Sequence, residues 1–100
     1  MKFFRKVKPD QDGVVVLDVR SAPEWRDGHL EGAVLMDITS ATFASKIRRL
    51  PKDAPIYVYC KSGNRARQAC QLLRQAGYGV VINAGGLITA AGKLGRDVVY

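Results

Sequence analysis

The sequence predicts an α/β fold: a central, mostly parallel β-sheet of about four to five short strands flanked by helices on both faces. Three observations predict it. Short apolar runs recur at residues 14–18, 33–36, 56–59 and 80–82. The runs at 14–18 and 56–59 are continuous rather than alternating, as strands covered on both faces require. Between the runs lie segments whose apolar residues repeat at helical spacing.

The elements follow in order. Residues 14–18 form the first strand. Ser21 or Ala22 opens a short helix with Pro23 in its first turn, and this helix ends near Gly28. Residues 33–36 are a second short strand. Thr39 or Ser40 can cap a helix reaching Leu50, in which Phe43, Ile47 and Leu50 repeat at four and three. Pro51 stops it. Residues 56–59 are the third strand. A helix from about Arg65 to Ala76 ends at Gly77, a residue suited to the left-handed turn after a helix. Residues 80–82 are a fourth strand. Gly85-Gly86 predicts a tight turn, followed by a short helix through about Ala91. The remainder is weakly patterned, with Val98-Val99-Tyr100 as candidates for a sheet edge. No repeat, linker or low-complexity stretch interrupts the chain, so residues 1–100 read as one domain.

Cys60-Lys61-Ser62-Gly63-Asn64-Arg65 is the stretch that carries chemistry. It places a thiol at the carboxyl end of a parallel strand, on a loop entering a helix. Ligands of open α/β sheets bind at such strand ends. Helix N-termini present unpaired N–H groups and partial positive charge, which favour an anionic sulfur. Lys61 and Arg65 add positive charge. The loop therefore suits a nucleophilic cysteine and an anionic substrate.

This stretch resembles the active loop of the single-domain rhodanese (thiosulfate sulfurtransferase) family, of the small bacterial phage-shock type. In that family a cysteine is followed by a short loop closed by Arg. Four other segments are similar in order and spacing. Val16-Leu17-Asp18-Val19-Arg20 resembles the strand ending in Asp-x-Arg. Pro23-Glu24-Trp25 with Gly28-His29-Leu30-Glu31-Gly32-Ala33 resembles the next landmark. Leu73-Arg74-Gln75-Ala76-Gly77-Tyr78 resembles the end of the helix after the loop. Asn83-Ala84-Gly85-Gly86-Leu87 resembles the Gly-Gly landmark. The likeness is strongest over residues 13–88. Three departures stand out. Ala66 replaces a common Ser or Thr, no Trp follows Gly85-Gly86, and the strand and helix that usually precede the Asp-x-Arg strand are absent or cut short.

The resemblance implies a rhodanese-like fold and a sulfurtransferase that carries sulfane sulfur as a persulfide on Cys60. Thiosulfate would be the donor, and a thiol or cyanide the acceptor. Lys61, Ser62, Gly63, Asn64 and Arg65 would bind substrate. Arg65 would hold sulfite oxygens through its planar fork, and Lys61 would steer. Asp18 would receive loop N–H groups or pair with Arg20 or Arg65. Arg20 is open between a second anion contact and a scaffold ion pair. Related phosphatases on a similar scaffold carry a loop one residue longer, which makes a phosphatase or arsenate reductase the lesser enzymatic alternative. A persulfide carrier or regulatory docking module with little turnover is the alternative from another class.

Other residues read more plainly. Cys70 lies on the apolar face of the loop helix with Ala66, Ala69 and Leu73, as a small buried hydrophobe. His29 sits in a turn that packs, against the alternative of a Cys–His hydrolase. Glu24 is read as helix surface and Trp25 as packing. One His and two separated Cys give no metal-ligand spacing, and no cofactor is implied. The net charge of +7 suits anionic substrates or an acidic protein partner. The basic residues are scattered, without interleaved aromatics, which argues against nucleic acid. No apolar run approaches the ~20 residues of a membrane span. The basic start lacks an apolar stretch after it, so a signal peptide is not predicted and a cytoplasmic location is expected; the alternative is a periplasmic mature form whose leader has been removed.

Overall fold

The computed structural model describes residues 6–100. The elements run β1 (Val15–Asp18), α1 (Ala22–Arg26), β2 (His29–Leu30), β3 (Val34–Leu35), α2 (Phe43–Lys46), a 3₁₀ turn (Ile47–Arg49), β4 (Ile56–Cys60), α3 (Asn64–Gln75), β5 (Val81–Gly86), α4 (Leu87–Leu94) and β6 (Val98–Val99). A parallel four-stranded sheet in the order β3-β1-β4-β5 forms the centre. This is the α/β architecture the apolar runs predict.

Alternation along the central strands splits the core in two. Val15, Leu17, Ile56, Val58 and Cys60 point to one face, where Ala66, Ala69, Cys70 and Leu73 of α3 and Phe43 of α2 cover them. Val16 and Tyr59 point to the other face and meet Leu30, Ala84 and Ala90, with Leu87, Leu94 and Val98 at the margin. Successive side chains of a strand face opposite ways, and here both faces are covered. Cys60 therefore shares a face with α3, which decides where its sulfur goes.

The structure corrects the expected elements in several places. The helix expected from Thr39 or Ser40 to Leu50 is a single α-turn and a 3₁₀ turn. Its polar lead-in is occupied locally: the Thr39 hydroxyl donates to Asp37 at 2.8 Å, and the Ser40 and Thr42 hydroxyls pair at 2.8 Å. Such side chains compete with helix formation. The second strand shrinks to Val34–Leu35. Gly85-Gly86 is not a tight turn; both residues extend β5, opposite Tyr59 and Cys60 after a register shift at Val58/Tyr59. Val98 and Val99, candidates for a sheet edge, do pair, antiparallel with His29 and Leu30 in a separate two-stranded sheet. Among the described residues no strand precedes β1.

Candidate active site

Local structure builds the loop from its two ends. β4 delivers Cys60 at the carboxyl edge of the sheet. Gly63 turns the chain with φ +98°, a left-handed conformation that favours glycine, and α3 starts at Asn64. The Gly63 N–H donates to Cys60 Sγ at 2.9 Å, and the Ala66 N–H donates at 3.4 Å. Backbone dipoles at the start of α3 thus converge on the sulfur, a geometry that stabilises negative charge there.

The loop rests on β5. A Cβ added at Gly86 would lie 2.2 Å from the Lys61 carbonyl oxygen, so only a glycine admits this approach. Asn83 bridges the two segments. Its side-chain amide donates to the Gly63 carbonyl at 3.2 Å, and its oxygen accepts from the Gly85 N–H at 2.8 Å. The Asn83-Ala84-Gly85-Gly86 stretch is thereby a seat for the Cys60 loop. The sequence marks this whole stretch as a landmark, but not the bridging role of Asn83.

Arg65 finds a partner that the sequence did not point to. Its fork donates to both oxygens of Glu24, at 2.7 and 2.8 Å. Glu24, read from sequence as helix surface, also closes a capping box with Ser21 at the start of α1. The Arg65 hydrogen bond holds the Glu24 carboxyl far below the usual carboxylate range, against a smaller opposing effect of burial, and Glu24 in turn raises Arg65. The capping box, Ser21-x-x-Glu24, is a legible signal; its pairing across to Arg65 is not.

Asp18 and Arg20 form a buried pair at the adjacent ends of β1 and β4. Asp18 is 0 % exposed and accepts from the Arg20 backbone N–H, Nε and Nη2 at 2.8 to 3.1 Å. Arg20 Nη2 also donates to the Gly28 carbonyl at 2.6 Å. Arg20 thus serves the scaffold, while its edge lines the neighbouring cleft. Tyr59 lies beneath its guanidinium and accepts the Leu30 N–H at 3.0 Å. Burial raises the Tyr59 phenol well above its ordinary range, with the Asp18 carboxylate adding to it.

A cleft of about 440 Å³ opens beside the loop, lined by Arg20, Glu24, Asp27, Gly28, Lys61, Gly86, Leu87, Ile88 and Thr89. Its size fits a small ligand. Gly86, the register partner of Cys60, is part of its wall. Cys60 itself is fully buried. Lys61, Ser62 and Asn64 are exposed around the loop. Cys70 is buried on α3, and burial raises its thiol pKa. His29 stacks on Trp25 with ring centroids 3.5 Å apart, and its Nδ1 lies 2.8 Å from the Trp25 carbonyl oxygen. Among the described residues, no group of three or more His, Cys, Asp or Glu gathers to hold a metal ion, and no helix is long and apolar enough to cross a membrane.

Known proteins share this architecture and sequence. The Rhodanese-like domain family matches residues 5–88. A sulfurtransferase of Allochromatium vinosum is 33 % identical over 90 residues, covering 90 % of this chain and 82 % of the relative. The thiosulfate sulfurtransferase GlpE of Pseudomonas fluorescens is 32 % identical, covering 86 % of this chain and 83 % of the relative. A longer relative, the tRNA uridine(34) hydroxylase of Chlamydia felis, is 35 % identical over 86 % of this chain, which spans only 28 % of its length. The crystal structure of a rhodanese-like domain of the Anabaena protein Alr3790 superposes with a TM-score of 0.74 at 32 % identity, covering 87 % of this chain and 99 % of that one. The chain belongs to the rhodanese-like domain family, among whose members are single-domain sulfurtransferases.

Proposed function

We propose that this protein is a sulfurtransferase that moves sulfane sulfur from a donor such as thiosulfate to a thiol or cyanide through a persulfide on Cys60. The observation that carries this reading is the pair of backbone N–H groups, from Gly63 and Ala66, aimed at Cys60 Sγ. In the first step the thiolate attacks the outer sulfur of thiosulfate. The Sγ–S bond forms as the donor S–S bond breaks, and sulfite leaves with the electron pair. In the second step an acceptor thiolate or cyanide attacks the terminal sulfur and returns Cys60 as thiolate. One nucleophile in both half-reactions gives ping-pong kinetics. The same N–H groups that hold the thiolate would receive the anionic persulfide. Exposed Lys61 would attract anions to the loop, and Ser62 and Asn64 would contact them. Arg65 gives Glu24 one N–H from each arm of its fork, and its remaining N–H donors would contact a substrate oxygen.

A persulfide carrier or docking module is the second reading. It is favoured by one observation: Cys60 is covered and Arg65 is already engaged. An acidic protein would then be the natural partner of a chain with net charge +7. The cytoplasm, where thiols are kept reduced, is the compartment that suits either reading.

Intact mass after adding excess thiosulfate, with wild type beside Cys60→Ser, tests the proposal. Gain of one sulfur on wild type alone is the expected result. Equal gain on Cys60→Ser would remove Cys60 as the carrier. Gain without subsequent turnover to cyanide or a thiol would select the carrier reading.

A further inference from the structure

The chain carries +7, yet the immediate surroundings of Cys60 are balanced in charge. The cations of the loop and its cleft are Arg20, Lys61 and Arg65. They are matched one for one by Asp18, Glu24 and Asp27. Arg20 is committed to Asp18 in the buried pair at 2.8 Å. Arg65 is committed through both arms of its fork to Glu24. Glu24 is fixed in turn by the Ser21 N–H at 3.1 Å and the Ser21 hydroxyl at 3.0 Å. Among the described residues Lys61 and Asp27 enter no ion pair, and they oppose one another in sign within one cleft.

Two consequences follow for a donor. With Cys60 as a thiolate the site holds net negative charge, which repels a dianion more than a singly charged or neutral molecule. A bidentate arginine–carboxylate pair is also a strong competitor for any oxyanion seeking that arginine. Leu87 and Ile88 add apolar wall to the cleft, and Ile88 is 77 % exposed. An alkyl group would cover that wall; the sulfonate oxygens of thiosulfate would not.

We propose that Glu24 is a specificity-determining residue that turns this site from the dianion thiosulfate toward the persulfide of an uncharged or singly charged organic thiol. The proposal rests on the Cys60 persulfide reading and names its preferred donor. In that step the Cys60 thiolate attacks the terminal sulfur of R–S–SH. A Cys60 Sγ–S bond forms as the donor S–S bond breaks, the electron pair departs on R–S⁻, and the proton stays on the transferred sulfur. No further reactant is needed.

The test compares second-order rate constants for loading Cys60, read by rapid quench and intact mass. The probes are thiosulfate and 2-hydroxyethyl persulfide, on wild type, Glu24→Gln and Asp27→Asn. Because intrinsic reactivities of the probes differ, the readout is the ratio of the thiosulfate constant to the alkyl persulfide constant. Removing one negative charge beside an approaching dianion should raise that ratio roughly 5- to 10-fold in Glu24→Gln. Asp27→Asn, which leaves the Arg65 pair untouched, should raise it by a smaller factor. A ratio that is unchanged or lowered in Glu24→Gln overturns the proposal, since Glu24 would then only aim Arg65. If Glu24→Gln fails to fold, the ratio in Glu24→Ala decides by the same criterion. Wild type that loads from neither probe overturns the persulfide reading itself, a result separable from an unchanged ratio on a protein that loads.

Discussion

Gly86→Ala probes the seat of the reactive loop by sterics alone. The backbone of Gly86 has φ −84° and ψ 175°, which alanine adopts without strain. The added methyl, however, would stand 2.2 Å from the Lys61 oxygen and 3.0 Å from its carbonyl carbon. Both atoms are backbone, so no side chain can swing aside. The loop must retreat by about 1 Å to relieve the overlap, an overpacking that costs about 1–3 kcal/mol. The Gly63 N–H sits 2.9 Å from Sγ, and a retreat of that size carries it beyond good hydrogen-bond distance. A displacement of about 1 Å at a catalytic group can lower a rate on the order of 10²-fold. Sulfur loading of Cys60 should therefore fall by about that factor, read by quenched intact mass, while circular dichroism shows the fold retained. Gly92→Ala is the control: Gly92 lies in α4 with open space around its would-be Cβ. That change should leave loading alone and stabilise the helix by about 0.5–1 kcal/mol. Loading by folded Gly86→Ala within about threefold of wild type would refute the claim that this close approach positions the loop.

Three further outcomes are expected. Asn83→Ala removes the bridge between Gly63 and Gly85; loading should drop about tenfold and urea midpoints should show a loss of about 1 kcal/mol. Tyr59→Phe leaves the buried Leu30 N–H without its acceptor, so urea denaturation should report a loss of about 1–3 kcal/mol. Glu24 has a depressed folded pKa, so its contribution is complete above the unfolded carboxylate value and fades as pH falls toward the folded one. The melting-temperature gap between wild type and Glu24→Gln should accordingly be widest above about pH 5 and narrow steadily on acidification; a gap constant from neutral pH to pH 3 would contradict the ion pair.

The parts of the fold that were legible are those governed by local pattern. β1 and β4 are continuous apolar runs, and continuity is what burial on both faces demands. The loop helix declares itself by the face Ala66, Ala69, Cys70 and Leu73 and by Gly77 after its end. The parts that were not legible depend on distant partners. Arg65 and Glu24 are 41 residues apart, and nothing local to either says they meet. The two-residue strands β2 and β6 exist only because each finds the other. Gly85-Gly86 was misread because a glycine pair signals equally a turn or a close approach of backbone, and here Lys61 supplies the approach. The helix expected across residues 39–50 failed through polar side chains that satisfy each other before the first turn. Strand order at the carboxyl edge sets Asp18 opposite Tyr59, the residue before Cys60. What each charge pairs with required the folded chain.

The two contacts to Cys60 Sγ come from main-chain N–H groups, at Gly63 and Ala66. A side-chain substitution cannot delete such a donor; only proline removes it. Reactivity and selectivity are thus written in different alphabets. The exposed side chains of Lys61, Ser62 and Asn64 can therefore change without touching the two contacts that Sγ receives. A lineage built on this loop can explore partners by point mutation without rebuilding its chemistry, which makes such a small domain a ready part for recruitment into larger proteins.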